Sequence, residues 1–183
     1  NNMATTTKKH VKLKSVPLLV ILIVVLIFAS VSYLLAKIPI KNIVVSGNSY
    51  LSDQEIIELA GIDNYPSFIK TLSSTMEKKL KKNVYIKKVK VSKNLSSKVS
   101  IKIEEKNKLF RKEENGLLVL ETGEEVDDNN KYVVPILLNY VPDTKYNTFL
   151  NKMSEVTENV KNQISEIRYY PNEQDEDRFL LYM

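Results

Sequence analysis

Apolar and polar positions fall into three regimes along this chain. From Val16 to Ala36 the sequence VPLLVILIVVLIFASVSYLLA runs for 21 residues without a charge, and its polar members Ser30, Ser32 and Tyr33 sit in the last third. A helix rises about 1.5 Å per residue, so the block covers about 30 Å, the hydrocarbon thickness of a bilayer. Lipid leaves backbone groups without partners, which favours one continuous helix. Pro17 falls in the first turn, where its missing N–H costs nothing. The block predicts a single membrane-spanning helix over 16–36. A cleavable export signal has a shorter apolar run, about 7–15 residues, ending in small residues. Here the exit reads Tyr33-Leu34-Leu35-Ala36-Lys37, which predicts an uncleaved anchor.

The second regime mixes strand and helix periods. Ile40, Ile43 and Val45 suit a strand, closed by Ser46-Gly47-Asn48. In Leu51-Ser52-Asp53-Gln54-Glu55-Ile56, Ser52 is placed as an N-cap and Glu55 as its capping-box partner, with Leu51 and Ile56 as the hydrophobic staple. Ile56, Leu59 and Ala60 continue an apolar stripe up to Gly61, a C-terminal stop. A second helix begins at Ser73 or Ser74 and turns Met76 and Leu80 to one face. Two strands follow, Tyr85 to Lys93 and Lys98 to Glu105, joined by Asn94-Leu95-Ser96-Ser97. The predicted order is β-α-α-β-β.

In the third regime, short apolar runs are separated by turn residues. Leu109 to Lys112 and Gly116 to Leu120 read as a hairpin, and Thr122-Gly123 turns the chain again. Tyr132 to Tyr140 is split by Pro135, which favours an edge strand or extended segment over a central strand. Phe149, Met153, Val156 and Val160 recur at helical spacing across 145–161, a stripe expected to be core packing. Ser165 to Tyr170 reads as a strand, Asn172 to Asp177 as a solvated acidic loop, and Arg178 to Met183 as a final strand.

Charge divides the chain in the same places. Residues 1–36 carry four lysines, 37–106 carry 14 basic against 7 acidic side chains, and 107–183 carry 9 against 15. The balances of +4, +7 and −6 sum to +5, and the sign change predicts a domain boundary near Asn107. Lys8, Lys9, Lys12 and Lys14 precede the span with no acid among them, which favours a cytoplasmic N-terminus and an exported C-terminal part. The expected layout is a cytoplasmic tail over 1–15, with Met3 behind Asn1-Asn2 as the start. The span over 16–36, a first domain over 37–106 and a second over 107–183 follow. No cysteine is present, so disulfides, thiolate metal sites and lipidated cysteines are excluded. An exported domain of this kind depends on core packing alone, which suits a bacterial envelope.

The exit strand Ile40-x-x-Ile43-x-Val45-x-Gly47-Asn48, then a capped helix, a second helix and a hairpin, resembles a POTRA domain. A POTRA domain directly after one N-in span resembles the DivIB/FtsQ family of bacterial cell-division proteins. The cysteine-free, Lys- and Asn-rich composition is closer to the Gram-positive DivIB branch. The resemblance implies an α+β fold: one N-terminal transmembrane helix, a POTRA domain and a mixed β-rich domain. In the family that last domain continues with further strands, so the present chain is expected to stop within it.

The chemistry the residues offer is sparse. The single histidine, His10, lies before the span, and the four glycines are too scattered to cradle a phosphate. The acidic pairs Glu104-Glu105, Glu113-Glu114 and Glu124-Glu125 are of the residue type used in glycoside hydrolysis. Neighbours on a strand point to opposite faces, so these pairs are expected to be solvated surface. The reading is therefore non-enzymatic, with no catalytic, cofactor or metal residues. The basic run Lys78-Lys79-Leu80-Lys81-Lys82 with Lys87, Lys88 and Lys90 serves either solubility or attraction to anionic headgroups or wall polymers. Nucleic acid is not an expected partner outside the cytoplasm.

What the resemblance implies is a bitopic scaffold at the division septum. Its implied partners are FtsL-like and DivIC/FtsB-like bitopic proteins and, through them, the septal peptidoglycan synthase and transpeptidase. Docking would proceed by β-augmentation of an edge strand, and the terminal strand offers Phe179, Leu180, Leu181 and Tyr182. The competing reading of those four is ordinary sheet and core residues. The alternative function is a membrane-anchored cell-envelope enzyme or sensor, which the missing His and Cys weaken. A POTRA-bearing transport component fits less well, because no internal repeat is present.

Overall fold

The computed structural model describes residues 15–183. Lys8 to Lys14 and His10, and with them the expected cytoplasmic tail, lie outside the described residues. Helix α1 runs over Ser15–Ala36. Val16–Ala36 has a mean hydropathy of 3.0 and no buried share, so it is long and apolar enough to cross a bilayer.

The unit nearest α1 contains β1 (Asn42–Ser46), α2 (Asp53–Ala60), α3 (Ser73–Leu80), β2 (Ile86–Lys93) and β3 (Lys98–Glu105). The β-α-α-β-β order is the expected one. The sheet has the order β1-β3-β2, with β1 parallel and β2 antiparallel to the central β3. Ile56, Ile62, Met76, Leu80, Val99 and Ile101 fill its core. The capping box forms in full: Ser52 Oγ accepts from the Glu55 N–H, and the Glu55 carboxylate accepts from the Ser52 N–H. Leu51 and Ile56 are both buried as the staple requires, and Gly61 ends α2 in the left-handed conformation. Leu59 departs from the expected stripe and is exposed. Gly47 has φ +84°, and a Cβ there would collide with the Ile103 carbonyl oxygen, so the turn out of β1 demands glycine.

The second unit follows after Lys106-Asn107. It holds β4 (Lys108–Lys112), β5 (Leu118–Leu120), β6 (Glu125–Val126), β7 (Ile136–Leu137), α4 (Asp143–Glu155), α5 (Glu158–Lys161), β8 (Glu166–Tyr169) and β9 (Phe179–Tyr182). The sheet order is β6-β5-β4-β7-β8-β9. Phe110, Val119, Leu137, Phe149, Met153 and Ile167 form its core. The whole is the α+β architecture expected from the sequence.

Three local expectations change. The segment around Pro135 is not at an edge: β7 lies between β4 and β8 and is parallel to both. Pro135 is tolerated because it precedes the strand and contributes only its carbonyl, which accepts from the Arg111 N–H. The helix expected over 145–161 is broken at Val156-Thr157, both extended. Consecutive β-branched residues are weak helix formers, and Val160 consequently ends exposed. Finally, Glu105 is not solvated surface. Its half-buried carboxylate accepts from the backbone N–H groups of Ser49, Tyr50 and Leu51 at 3.1, 2.8 and 2.9 Å.

Candidate functional site

Strand β9 is the last in the distal sheet and pairs antiparallel with β8, Phe179 opposite Tyr169 and Tyr182 opposite Glu166. The Tyr170 N–H donates to the Arg178 carbonyl. Because an antiparallel ladder alternates, Leu180 and Tyr182 then turn their backbone groups toward β8, while Phe179 and Leu181 turn theirs outward. Among the described residues, no strand pairs with that outer edge.

The four side chains divide along the strand. Phe179 stacks on Phe149 with centroids 4.4 Å apart and rings 8° from parallel, and it leans on Tyr169 at 5.1 Å. Leu180 is half-buried. Leu181 and Tyr182 are 51% and 41% exposed. The structure therefore brings all four to one open edge, with Phe179 as the anchor into the core and Leu181 and Tyr182 as the accessible end.

A second constellation lies between the two units, and no pattern in the sequence points to it. Lys108, the first residue of β4, is almost fully buried with its ammonium directly over the Tyr50 ring. The Tyr132 and Tyr85 centroids lie 4.0 and 5.4 Å from the same nitrogen. Tyr132 meets both other rings edge-on, at 5.7 and 5.8 Å. Among the described residues, Lys108 Nζ has no hydrogen-bond acceptor. Burial pushes its pKa down to about 7, against the opposing pull of Glu105, Glu158 and Asp128. Burial and the neighbouring Glu158 raise the Tyr50 hydroxyl to about 12.

Around this cage the units are cross-linked by charge. Glu55 of α2 pairs with Lys131 at 3.3 Å, Lys87 of β2 with Glu121 at 2.8 Å, and Lys106 with Glu124. Arg111 grips the buried Asp128 with two hydrogen bonds, at 2.6 and 3.0 Å, and donates to the Tyr132 carbonyl, so the loop carrying Tyr132 is held from β4. Burial raises the Asp128 carboxyl, but the Arg111 guanidinium and the Tyr132 N–H outweigh it and hold it below the usual range. The break after α4 lets α5 turn Lys161 inward, where its ammonium donates to the Lys108 carbonyl at 2.9 Å. Three tyrosines spread over 83 positions (50 to 132) have no sequence periodicity to link them.

No catalytic geometry appears among these groups. Among the described residues, no three His, Asp or Glu side chains are grouped to hold a metal ion. Glu104 pairs with Lys87 and Lys88, Glu124 with Lys106, and Glu125 with Lys112, so these carboxylates serve as ion-pair partners. A cleft of about 110 Å³ lies beside Tyr140, Asp143 and Tyr146.

Residues 38–106 match the family model described as POTRA domain, FtsQ-type. The chain is 33% identical over 151 residues to cell division protein DivIB of Bacillus subtilis, covering 79% of this chain and 57% of that protein. DivIB of Bacillus cytotoxicus is 32% identical over 149 residues, with 79% and 58% covered. DivIB of Listeria monocytogenes is 29% identical over 192 residues, with 100% and 71% covered. The chain spans a little over half the length of the Bacillus relatives. Among solved structures, it is similar to the major extracytoplasmic domain of the trans isomer of DivIB from Geobacillus stearothermophilus. That likeness has 21% identity and a TM-score of 0.36, and covers 44% of this chain and 72% of that one. An FtsQ-type POTRA domain thus follows a long apolar helix, and the chain is similar to DivIB cell division proteins over most of its length.

Proposed function

We propose that the protein is a non-enzymatic, single-pass scaffold of the division machinery. Its N-terminus is cytoplasmic, α1 spans the membrane, and residues 37–106 and 107–183 form two exported domains at the septum. The outer edge of β9 receives an extended segment of a partner. Backbone N–H and C=O groups of Phe179 and Leu181 supply the main-chain hydrogen bonds, and Leu181 and Tyr182 supply side-chain selectivity. The observation that carries this reading is the edge itself: a strand with one side unpaired among the described residues and exposed apolar side chains at its end. The partners are FtsL-like and DivIC/FtsB-like bitopic proteins, and through them the septal peptidoglycan synthase and transpeptidase. Docking stabilises or regulates the complex that makes the septal wall.

Leu181→Pro tests the idea, because proline removes an outward N–H while leaving the β8 pairing intact. The expected outcome is loss of partner pull-down with unchanged far-UV circular dichroism and mid-cell localisation weakened in dividing cells. Pull-down at the wild-type level would remove the β9 edge from the mechanism.

A further inference from the structure

The end of the proximal unit nearest α1 carries an apolar and basic surface that the scaffold reading does not use. Three segments meet there. The chain leaving α1 is fastened to the 65–72 loop: Ser67 Oγ donates to the Ala36 carbonyl at 2.6 Å, the Phe68 N–H to Ile38 at 2.8 Å, and the Ile40 N–H to Pro66 at 3.0 Å. The β2–β3 turn joins them through the Lys41 N–H, which donates to the Ser97 carbonyl at 2.9 Å. Lys93 closes the arrangement from the end of β2, donating to the Phe68 and Thr71 carbonyls.

These fastenings leave large apolar side chains with nothing to cover them. Leu95, at the tip of the turn, is fully exposed, Leu72 is 59% exposed and Ile69 47%. Lys37, Lys41 and Lys70 are exposed in the same segments, which hold no acidic residue; Asp63 lies just before the 65–72 loop. The height of this surface is set by α1. Its last residue, Ala36, is hydrogen-bonded to the loop, so the loop lies where the apolar helix leaves the hydrocarbon and headgroups begin. Tyr33, with Lys37 4.5 Å from its ring centroid, is an aromatic–basic pair suited to the same interface.

We propose that this end of the proximal unit docks on the bilayer that α1 spans. Ile69, Leu72 and Leu95 enter the interface, and Lys37, Lys41 and Lys70 contact the phosphates of anionic phospholipid. Amphipathic surfaces bind membranes in this way, with apolar burial and headgroup attraction acting together. Lys87 and Lys88, near the start of β2, do not take part. At about 3.3 Å per residue they lie roughly 17–20 Å from Lys93, about two Debye lengths (about 8 Å each) away. The inference rests on α1 as the span and is independent of the β9 edge.

The natural sequence has no cysteine, so single cysteines in the full chain report one position each. Leu95→Cys, Ile69→Cys and the distal control Gln174→Cys are labelled with an environment-sensitive fluorophore. Each is then reconstituted into vesicles of phosphatidylcholine and phosphatidylglycerol carrying a doxyl-lipid quencher. The expected result is blue-shifted, strongly quenched emission at 95 and 69 and unshifted, unquenched emission at 174. Quenching should fall in pure phosphatidylcholine and in the Lys37→Gln, Lys41→Gln, Lys70→Gln background. Emission at 95 and 69 matching the control would overturn membrane docking and assign the surface to a protein. Quenching that ignores both lipid charge and the lysines would overturn the phosphate contact. Septal localisation of the same variants separates a failure here from a failure of the scaffold reading.

Discussion

The proximal and distal units reach stability by different routes. In the proximal sheet, β2 and β3 are eight residues each and pair along most of their length, with β1 adding five parallel pairs. In the distal sheet the central β7 offers two residues to each neighbour. What compensates is aromatic packing on one helix. Phe149 of α4 meets Phe110 of β4 at 5.1 Å and Phe179 of β9 at 4.4 Å, tying the middle and the edge of the sheet to one side chain. A sheet with long ladders spreads its stability along the backbone, whereas one with short ladders concentrates it in a few side chains.

The contrast is broken most directly at Phe149. Phe149→Ala removes a buried ring from two aromatic contacts and is expected to cost about 3–5 kcal/mol. Urea denaturation of the full chain in detergent micelles should then show the distal unit melting before the proximal one. A single unshifted transition would mean that the distal ladders are sufficient alone. Next in size is Asp128→Asn, expected to cost about 3 kcal/mol because Arg111 loses its buried counter-charge. Here the folded carboxyl is held below its unfolded value, so the pair contributes fully above pH of about 4. That contribution is lost as pH falls through the folded pKa. The Asn variant should therefore show a flatter acid limb in a pH series of melts.

Lys108→Met has the opposite sign. Replacing a buried ammonium without an acceptor by an apolar chain of similar length is expected to be neutral or to stabilise by about 1–2 kcal/mol. Burial lowers the folded pKa of Lys108 to about 7, so its penalty is complete below pH 7 and is relieved as pH rises from there toward the unfolded value. Wild-type stability should rise over that interval relative to the Met variant. Parallel curves would show that the tyrosine faces fully offset the burial. Smallest is Ser52→Ala, which removes one member of the capping box and should cost about 1 kcal/mol, confined to the proximal transition.

These differences also explain what could be read in advance. Ser52, Glu55 and Gly61 act within a few residues of themselves, so the boundaries of α2 were visible in the sequence, as was the alternation of Val99, Ile101 and Ile103 in β3. Pro135 misled because its position relative to β7 matters more than its presence near an apolar run. Val156 and Val160 fitted a helical period that the neighbouring Thr157 interrupts. The terminal strand was legible as a strand, but its place at the edge depends on β7 slipping between β4 and β8, a tertiary choice. The Lys108 cage depends on folding both units together, and no local pattern of Tyr50, Tyr85 and Tyr132 foretells it.

Only Lys106 and Asn107 separate the central strand of the first sheet from β4 of the second. A partner tugging on β9 would therefore load β8, β7 and β4 in turn, and the tension would pass along the main chain into β3. From there it crosses to β1 through hydrogen bonds arranged in parallel and sheared together, and on toward α1. On the scaffold reading proposed above, that path would make the molecule a short tether between β9 and α1.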